Sequence, residues 1–143
     1  MSFRPRILRS FKSRLAIVAG VALLASAIAM PATTALASGQ TCNESSLTTC
    51  VYVEGSGLYV DYAQGWATDN TAFTYNNLHI EIEGPAGLLQ NCGTFSLSYG
   101  QTSPSCFWER NGDVEAGNYC ATLWYYTNGE YYNMGTPCVD VHS

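Results

Sequence analysis

After residue 37 this sequence contains no lysine, and Arg110 is its single arginine. All eleven aspartate and glutamate residues lie in the same part of the chain, so one arginine minus eleven acids leaves a formal net charge of −10 there. Phosphate groups are bound mainly by lysine and arginine, so nucleic acids and anionic membrane surfaces are poor partners. A basic partner or a neutral one such as a sugar is compatible with this charge, which also favours solubility.

Groups that could carry out catalysis are scarce as well. The two histidines are His79 and His142, no G-x-S-x-G stretch occurs, and a nucleophile–base arrangement is therefore hard to assemble. Glu81 and Glu83 could form a glycosidase-like pair, but their alternate positions on one strand favour a solvated face. No two cysteines are closer than eight positions, whereas zinc sites use closely spaced pairs. We therefore predict no enzymatic activity, no cofactor and no metal site.

Residues 1–37 have the pattern of a secretory signal peptide. Five basic residues precede an apolar run over residues 15–30, and Ala35-Leu36-Ala37 is a small-x-small cleavage site. The alternative is a retained membrane anchor, but an apolar run of about 16 residues is short for a bilayer span of roughly 20. We predict cleavage after Ala37 and a secreted, extracellular protein of residues 38–143 that is not attached to a membrane.

Six cysteines follow the predicted cleavage site, an even number in a chain expected to reach an oxidising compartment. This combination predicts three disulfides. The cysteines are Cys42, Cys50, Cys92, Cys106, Cys120 and Cys138.

The hydrophobic pattern after residue 37 is that of β-strands, without sustained apolar spacing at the helical period. The clearest case is residues 78–83, where Leu, Ile and Ile alternate with His, Glu and Glu, which predicts one buried and one solvated face. About seven such strands separated by glycine-rich turns predict an all-β fold, an antiparallel β-sandwich of immunoglobulin-like type. A small closed barrel is the alternative. Residues 38–49 are interpreted as a polar N-terminal arm, and residues 50–143 as the sandwich domain.

The stretch WYYTNGEYYNMG predicts an aromatic hairpin. Asn128-Gly129 is typical of a type I′ turn, which sets Thr127 opposite Glu130. In that register one face is expected to be core: Ala121, Leu123, Tyr125, Tyr132 and Met134. The other face is expected to be partly wet: Thr122, Trp124, Tyr126, Tyr131 and Asn133.

Two interpretations of the outer hairpin face are equally compatible with the sequence. Trp124, Tyr126 and Tyr131 could stabilise the hairpin by cross-strand aromatic pairing. They could also form a binding platform, because these residue types give large contact areas at low entropic cost. We take them as candidate partner-binding residues.

The same register favours one disulfide pairing among the 15 that six cysteines allow. In this register Cys120 lies opposite Pro137, the residue before Cys138. A single bulge near Gly135 would bring Cys120 and Cys138 opposite each other. Cys42–Cys50 and Cys92–Cys106 then follow as local pairs.

Three classes of function fit these observations. The first is a secreted interaction protein that binds a protein partner through a strand edge, the aromatic strip or the arm. The second is a carbohydrate-binding module that stacks a glycan on the aromatic strip. The third is a secreted protease inhibitor that presents the loop GQTSPS, residues 100–105, before Cys106.

The segments CVYVEGSGLYVDYAQG, IEGPAG and TPCVDV resemble those of small secreted actinobacterial proteins, over most of residues 50–141. Among them the chain is similar to the small adaptor subunit of the umbrella toxin particles of Streptomyces. That subunit links a lectin-like subunit to the toxin chain, and its extended N-terminus inserts into a cleft of the lectin-bearing partner. The resemblance implies an adaptor function in a secreted antibacterial toxin particle. It fits a binding role for the start of the arm, where Ser38, Gly39 and Gln40 are the candidates.

Overall fold

The computed structural model describes residues 38–143, so the predicted signal peptide over residues 1–37 lies outside the described residues. The described part of the chain forms ten β-strands and no helix. The strands are β1 Gly39–Asn43, β2 Leu47–Ser56, β3 Tyr59–Asp69, β4 Tyr75–Gly84, β5 Gly87–Asn91, β6 Phe95–Leu97, β7 Cys106–Asp113, β8 Gly117–Thr127, β9 Glu130–Gly135 and β10 Cys138–Val141.

The strands form two antiparallel sheets. The first has the order β1-β2-β3-β7. In the second the order is β10-β8-β4-β5, with β6 also paired to β4 and β9 also paired to β8. The long strands β4 and β8 therefore lie at the centre of the second sheet, and each is flanked on its outer side by two shorter strands.

The core lies between the two sheets and follows the alternation of the strands. Inward-facing Val, Ala, Leu and Ile side chains are buried, while their neighbours in sequence face outward. The residues with no exposed surface include Val51, Val53, Val60 and Ala63 in the first sheet and Leu78, Ile80, Ile82, Ala121 and Leu123 in the second. The prediction of an all-β, antiparallel sandwich is confirmed. The strands form two separate sheets, not the closed barrel that was the alternative.

The number of strands is ten rather than about seven. The N-terminal arm forms β1, and the segment after the turn at residues 84–87 forms β5. Neither segment has the apolar alternation that would have indicated a strand, because both are exposed edges of a sheet. The predicted last strand is also divided into β9 and β10 by a break at Pro137. The carbonyl of Pro137 accepts a hydrogen bond from the N–H of Ala121. Proline has no N–H to continue the ladder.

The division into an arm over residues 38–49 and a domain from residue 50 does not match the structure. β1 pairs with β2 over its whole length, and β2 already begins at Leu47. Leu47 and Thr49 have no exposed surface. The end of the predicted arm is thus an integral part of the sandwich, because a polar stretch can contribute single buried side chains without a visible pattern.

The three disulfides are the predicted pairs: Cys120–Cys138, which the hairpin register favoured, and the local pairs Cys42–Cys50 and Cys92–Cys106. Cys42 and Cys50 lie directly opposite each other in β1 and β2, as do Cys120 and Cys138 in β8 and β10. The Cys92–Cys106 bond joins the two sheets, because Cys106 lies in β7 of the first sheet and Cys92 directly follows β5 of the second. Three disulfides in one small domain are typical of proteins that fold in an oxidising, extracellular environment.

Tyr119 at the start of β8 makes a hydrogen bond that resembles the tyrosine corner of immunoglobulin domains. Its hydroxyl donates to the carbonyl of Glu115, four residues upstream, at 3.0 Å. Its ring stacks on Trp108 of the opposite sheet, with centroids 5.9 Å apart. Burial raises the pKa of the Tyr119 hydroxyl, the Glu115 carboxylate raises it further, and Arg110 lowers it. The neutral hydroxyl therefore persists as a donor at this corner of the sandwich.

Gly65 lies where the two sheets pack closely against each other. A Cβ atom at this position would lie 2.8 Å from the Cβ of Ala121 and 3.0 Å from Cγ2 of Ile80. Because both neighbours belong to the packed core, Gly65→Ala is expected to lower the free energy of unfolding by about 1–3 kcal/mol. Urea denaturation followed by far-ultraviolet circular dichroism measures this. Gly93→Ala is the matched control, since a Cβ there meets nothing within 4 Å, and equal losses in the two variants would contradict the close approach.

Candidate binding surface

The β8–β9 hairpin has the predicted turn and, over its outer part, the predicted register. Asn128 and Gly129 both have positive φ, 52° and 85°, as a type I′ turn requires. Thr127 lies opposite Glu130, and Tyr126 lies opposite Tyr131. The register shifts by one residue beyond Trp124, so that Leu123 lies opposite Gly135 instead of Met134. This bulge is the one that brings Cys120 and Cys138 together.

The expected core face of the hairpin is only partly buried. Leu123 is fully buried, and the ring of Tyr125 packs edge-on against Tyr75 at 5.4 Å. Tyr132, however, is 44% exposed, so the prediction that it fills the core is wrong. Tyr132 lies near the tip of the hairpin, where its hydroxyl donates a hydrogen bond to Glu130. An inward orientation buries a side chain only where the opposite sheet reaches it.

The outer face of the hairpin brings Trp124, Tyr126 and Tyr131 together. The rings of Tyr126 and Tyr131 are 4.7 Å apart, and the two side chains are 40% and 61% exposed. Tyr131 also meets His79 of β4 edge to face at 5.3 Å. Trp124 is half-buried and lies opposite His79 of β4 on one side and Asn133 of β9 on the other. We call the surface formed by Trp124, Tyr126 and Tyr131 the tyrosine face.

A carboxylate with fixed geometry lies beside the tyrosine face. Oε1 of Glu81 accepts a hydrogen bond from Nδ2 of Asn91 at 2.6 Å, and Oε2 accepts one from Nε1 of Trp124 at 2.8 Å. Nε2 of His79 lies 3.6 Å from Oε1. The side chains of His79 and Glu81 are 14% and 19% exposed. These groups belong to β4, β5 and β8, so the packing of the sheet itself sets their positions.

These residues surround a concave site of about 320 Å³, which we call the Glu81 pocket. Its lining is His79, Glu81, Asn91, Trp124 and Tyr131. A shallower groove of about 260 Å³ continues from it past Cys92, Gly93 and Thr94. The pocket thus offers a carboxylate, an imidazole, an amide and two aromatic rings, which is the mixture of apolar walls and few polar groups found in ligand sites.

Glu81 and Glu83 are not the freely solvated pair that their spacing suggested. Glu81 is held by Asn91 and Trp124, and Glu83 accepts a hydrogen bond from Oγ1 of Thr122 at 3.1 Å. Thr122 itself is buried although it faces outward, because these polar side chains cover it. Both carboxylates on the outer face of β4 are therefore oriented by hydrogen bonds from neighbouring side chains.

Ser38, Gly39 and Gln40 lie on the other sheet and are not brought together with the tyrosine face. Oγ of Ser38 donates to the carbonyl of Gly55 at 2.9 Å and accepts from its N–H at 3.1 Å. Gly39 faces inward, where a Cβ would lie 3.1 Å from Cγ1 of Val139. Gln40 is exposed and lies opposite Tyr52. Of these three candidates, Gln40 is the one that is exposed.

Gln40 lies beside a second aromatic surface that the sequence interpretation missed. Tyr52, Tyr62 and Phe107 follow one another across β2, β3 and β7, with successive ring centroids 6.0 Å apart. Phe107 is 47% exposed. The signal was present in the alternation, since Tyr52 lies between the buried residues Val51 and Val53. We call these three residues the aromatic row.

The loop proposed as a protease-inhibitor segment, residues 100–105, lies against the edge of β3. The N–H of Ser103 donates to the carbonyl of Ala67 at 2.8 Å, and the N–H of Ala67 donates to Oγ of Ser103 at 3.0 Å. Ser103 is buried, and Thr102 forms a bridge with Thr68. Apart from Ser103, the residues of this loop are exposed.

No known protein family, no curated protein and no solved structure matches this chain. Within residues 38–143, no group of three or more His, Cys, Asp or Glu side chains is arranged to hold a metal ion. Over the same residues, no helix is long and apolar enough to cross a membrane.

Proposed function

We propose that this chain is a secreted, non-enzymatic interaction protein that binds a protein partner through the tyrosine face. The observation that carries the proposal is the exposed pair Tyr126 and Tyr131 at the rim of the Glu81 pocket. Tyrosine and tryptophan around a polar anchor are typical of the central residues of protein interfaces. The three disulfides support a rigid surface that loses little entropy on binding.

The adaptor role implied by the resemblance requires two separate binding surfaces. The tyrosine face and the aromatic row lie on the outer faces of different sheets, so they point away from each other across the core. Gln40 in the first strand belongs to the side of the aromatic row. Two partners could therefore bind at once without competing, as an adaptor between a lectin-like subunit and a toxin chain needs.

A carbohydrate ligand is the second candidate for the tyrosine face. The Glu81 pocket combines aromatic rings, on which a sugar can stack, with a carboxylate and an amide that can bind hydroxyl groups. A glycan array probed with the mature protein separates this candidate from a protein partner.

The proposed function predicts that partner capture depends on the exposed tyrosines. The double variant Tyr126→Ser/Tyr131→Ser is expected to retain at least tenfold less of a secreted partner than the unaltered protein, because both side chains are lost from the contact surface. Mature protein fixed to a support is exposed to culture medium of the source organism. Retained proteins are identified by mass spectrometry, and each is then purified and measured alone.

The control variant is Phe73→Ser/Tyr99→Ser, which removes two aromatic side chains that are 73% and 74% exposed and lie outside the tyrosine face. It is expected to capture the partner like the unaltered protein. Equal capture by both double variants would show that the tyrosine face is not the binding surface. A glycan that binds the protein in place of any secreted partner would favour the second candidate.

A further inference from the structure

We infer that the Glu81 pocket receives the guanidinium group of an arginine side chain from the protein partner. The inference rests on the proposed function and names the chemistry of the partner at this site. Three observations support it: the Glu81 carboxylate can accept further hydrogen bonds, the walls of the pocket are aromatic, and the domain as a whole is strongly acidic.

The carboxylate of Glu81 is oriented but has capacity left. Each oxygen accepts one hydrogen bond from a neutral donor, Asn91 on one side and Trp124 on the other. An ionised carboxylate offers about four acceptor sites, so about two remain for a ligand. An arginine guanidinium fits such an acceptor with two parallel N–H donors, and a charge-assisted pair of this kind is stronger than a neutral hydrogen bond.

The charge of Glu81 is not cancelled within the described residues. Its two hydrogen-bond donors carry no charge, and the single arginine, Arg110, instead donates to the carbonyl of Asp113. His79 lies 3.6 Å from Glu81 and balances the carboxylate only when protonated. The pocket therefore presents a carboxylate that no lysine or arginine among residues 38–143 neutralises, on a side chain that is only 19% exposed.

The aromatic walls of the pocket are also suited to a guanidinium group. Trp124 and Tyr131 line it, and aromatic rings attract a guanidinium that stacks on them. With these two rings as walls, a long side chain can insert its charged end while its methylene groups contact the rings. A volume of about 320 Å³ is near the lower end of ligand sites and suits one side chain.

The charge of the whole domain acts in the same direction. Residues 38–143 carry eleven acids against one arginine, so a basic partner is attracted before contact. A neutral sugar gains nothing from this field. A basic protein surface with an exposed arginine is thus the occupant that the charges favour.

The test uses a short capped peptide, Gly-Arg-Gly, as the probe and its citrulline analogue as the matched neutral control. Binding at millimolar concentration is followed through the indole N–H signal of Trp124 in ¹⁵N-labelled mature protein. We expect the arginine peptide to shift this signal. The reference is binding of the arginine peptide to the unaltered protein. We expect binding at least tenfold weaker than this for the citrulline peptide with the unaltered protein, and for the arginine peptide with the Glu81→Gln variant.

The control variant is Glu109→Gln, which changes the net charge equally but lies on β7 of the other sheet. It should bind the arginine peptide like the unaltered protein, and thermal melting confirms that both glutamine variants are folded. If Glu81→Gln unfolds, Tyr131→Leu takes its place with the same expectation of weaker binding. No shift with the arginine peptide, equal binding of citrulline, or equal loss in Glu109→Gln would overturn the inference. A stronger shift with a methyl hexoside than with arginine would do so as well.

Failure of this inference differs from failure of the proposed function. If the arginine peptide does not bind while partner capture still requires Tyr126 and Tyr131, the tyrosine face binds a partner of other chemistry. If the peptide binds in the pocket while partner capture is unchanged by substitution of Tyr126 and Tyr131, the pocket binds arginine and the proposed interface is wrong.

Discussion

Removing the disulfide between the sheets, by changing Cys92 and Cys106 together to alanine, is expected to lower the free energy of unfolding by about 3 kcal/mol. The bond closes a loop between residues 14 positions apart, so its loss gives the unfolded chain more conformational freedom. Cys106 is also buried in the core, with its sulfur near the carbonyl of Ile80, so the variant loses packing as well.

The matched control is the double variant Cys42→Ala/Cys50→Ala. That disulfide spans only eight positions and joins residues that are already paired in neighbouring strands, with Cys42 at the exposed edge of the sheet. Its removal is expected to cost less than removal of Cys92–Cys106. Urea denaturation gives both values, and the unaltered chain should weigh six hydrogens less than its reduced form, two for each bond. An equal or larger loss in the control would show that linking the sheets adds nothing.

The sequence predicted those parts of the fold where one local rule dominates. In β4 the alternation of Leu78, Ile80 and Ile82 with polar residues identified both the strand and its buried face, as the structure confirms. At the tip of the β8–β9 hairpin, Asn128-Gly129 fixed the turn, and the turn fixed the register. From that register and a single bulge, the pairing of Cys120 with Cys138 followed.

The candidate site could be predicted only in part, because it depends on a strand with no pattern of its own. Trp124, Tyr126 and Tyr131 were identified from the hairpin, whereas the hydrogen bond from Asn91 to Glu81 requires that β5 pairs with β4. β5 is an edge strand whose Leu88 is 57% exposed, so its sequence carries no alternation. The alternation also gave the direction of Tyr132 correctly but not its exposure, which depends on how far the opposite sheet extends.

The two sides of β8 are expected to respond very differently to truncation. Leu123 is fully buried and faces the core, so Leu123→Ala is expected to lower the free energy of unfolding by about 2–5 kcal/mol, from lost burial and the cavity left behind. Trp124, the next residue, is half-buried on the outer face and donates a hydrogen bond to Glu81. Trp124→Ala is expected to cost less, about 1–2 kcal/mol, because solvent already reaches this side chain and can replace the lost donor.

Partner binding should show the reverse order. Trp124→Ala removes a wall of the Glu81 pocket and one of the two donors that orient the carboxylate, so partner capture is expected to fall at least tenfold. Leu123→Ala touches neither, and its folded fraction should bind like the unaltered protein. Urea denaturation and capture by the folded fraction are measured on the same preparations. If Trp124→Ala instead destabilises the chain as much as Leu123→Ala and leaves capture unchanged, the outer aromatic side chains serve packing, and the tyrosine face is not a binding surface.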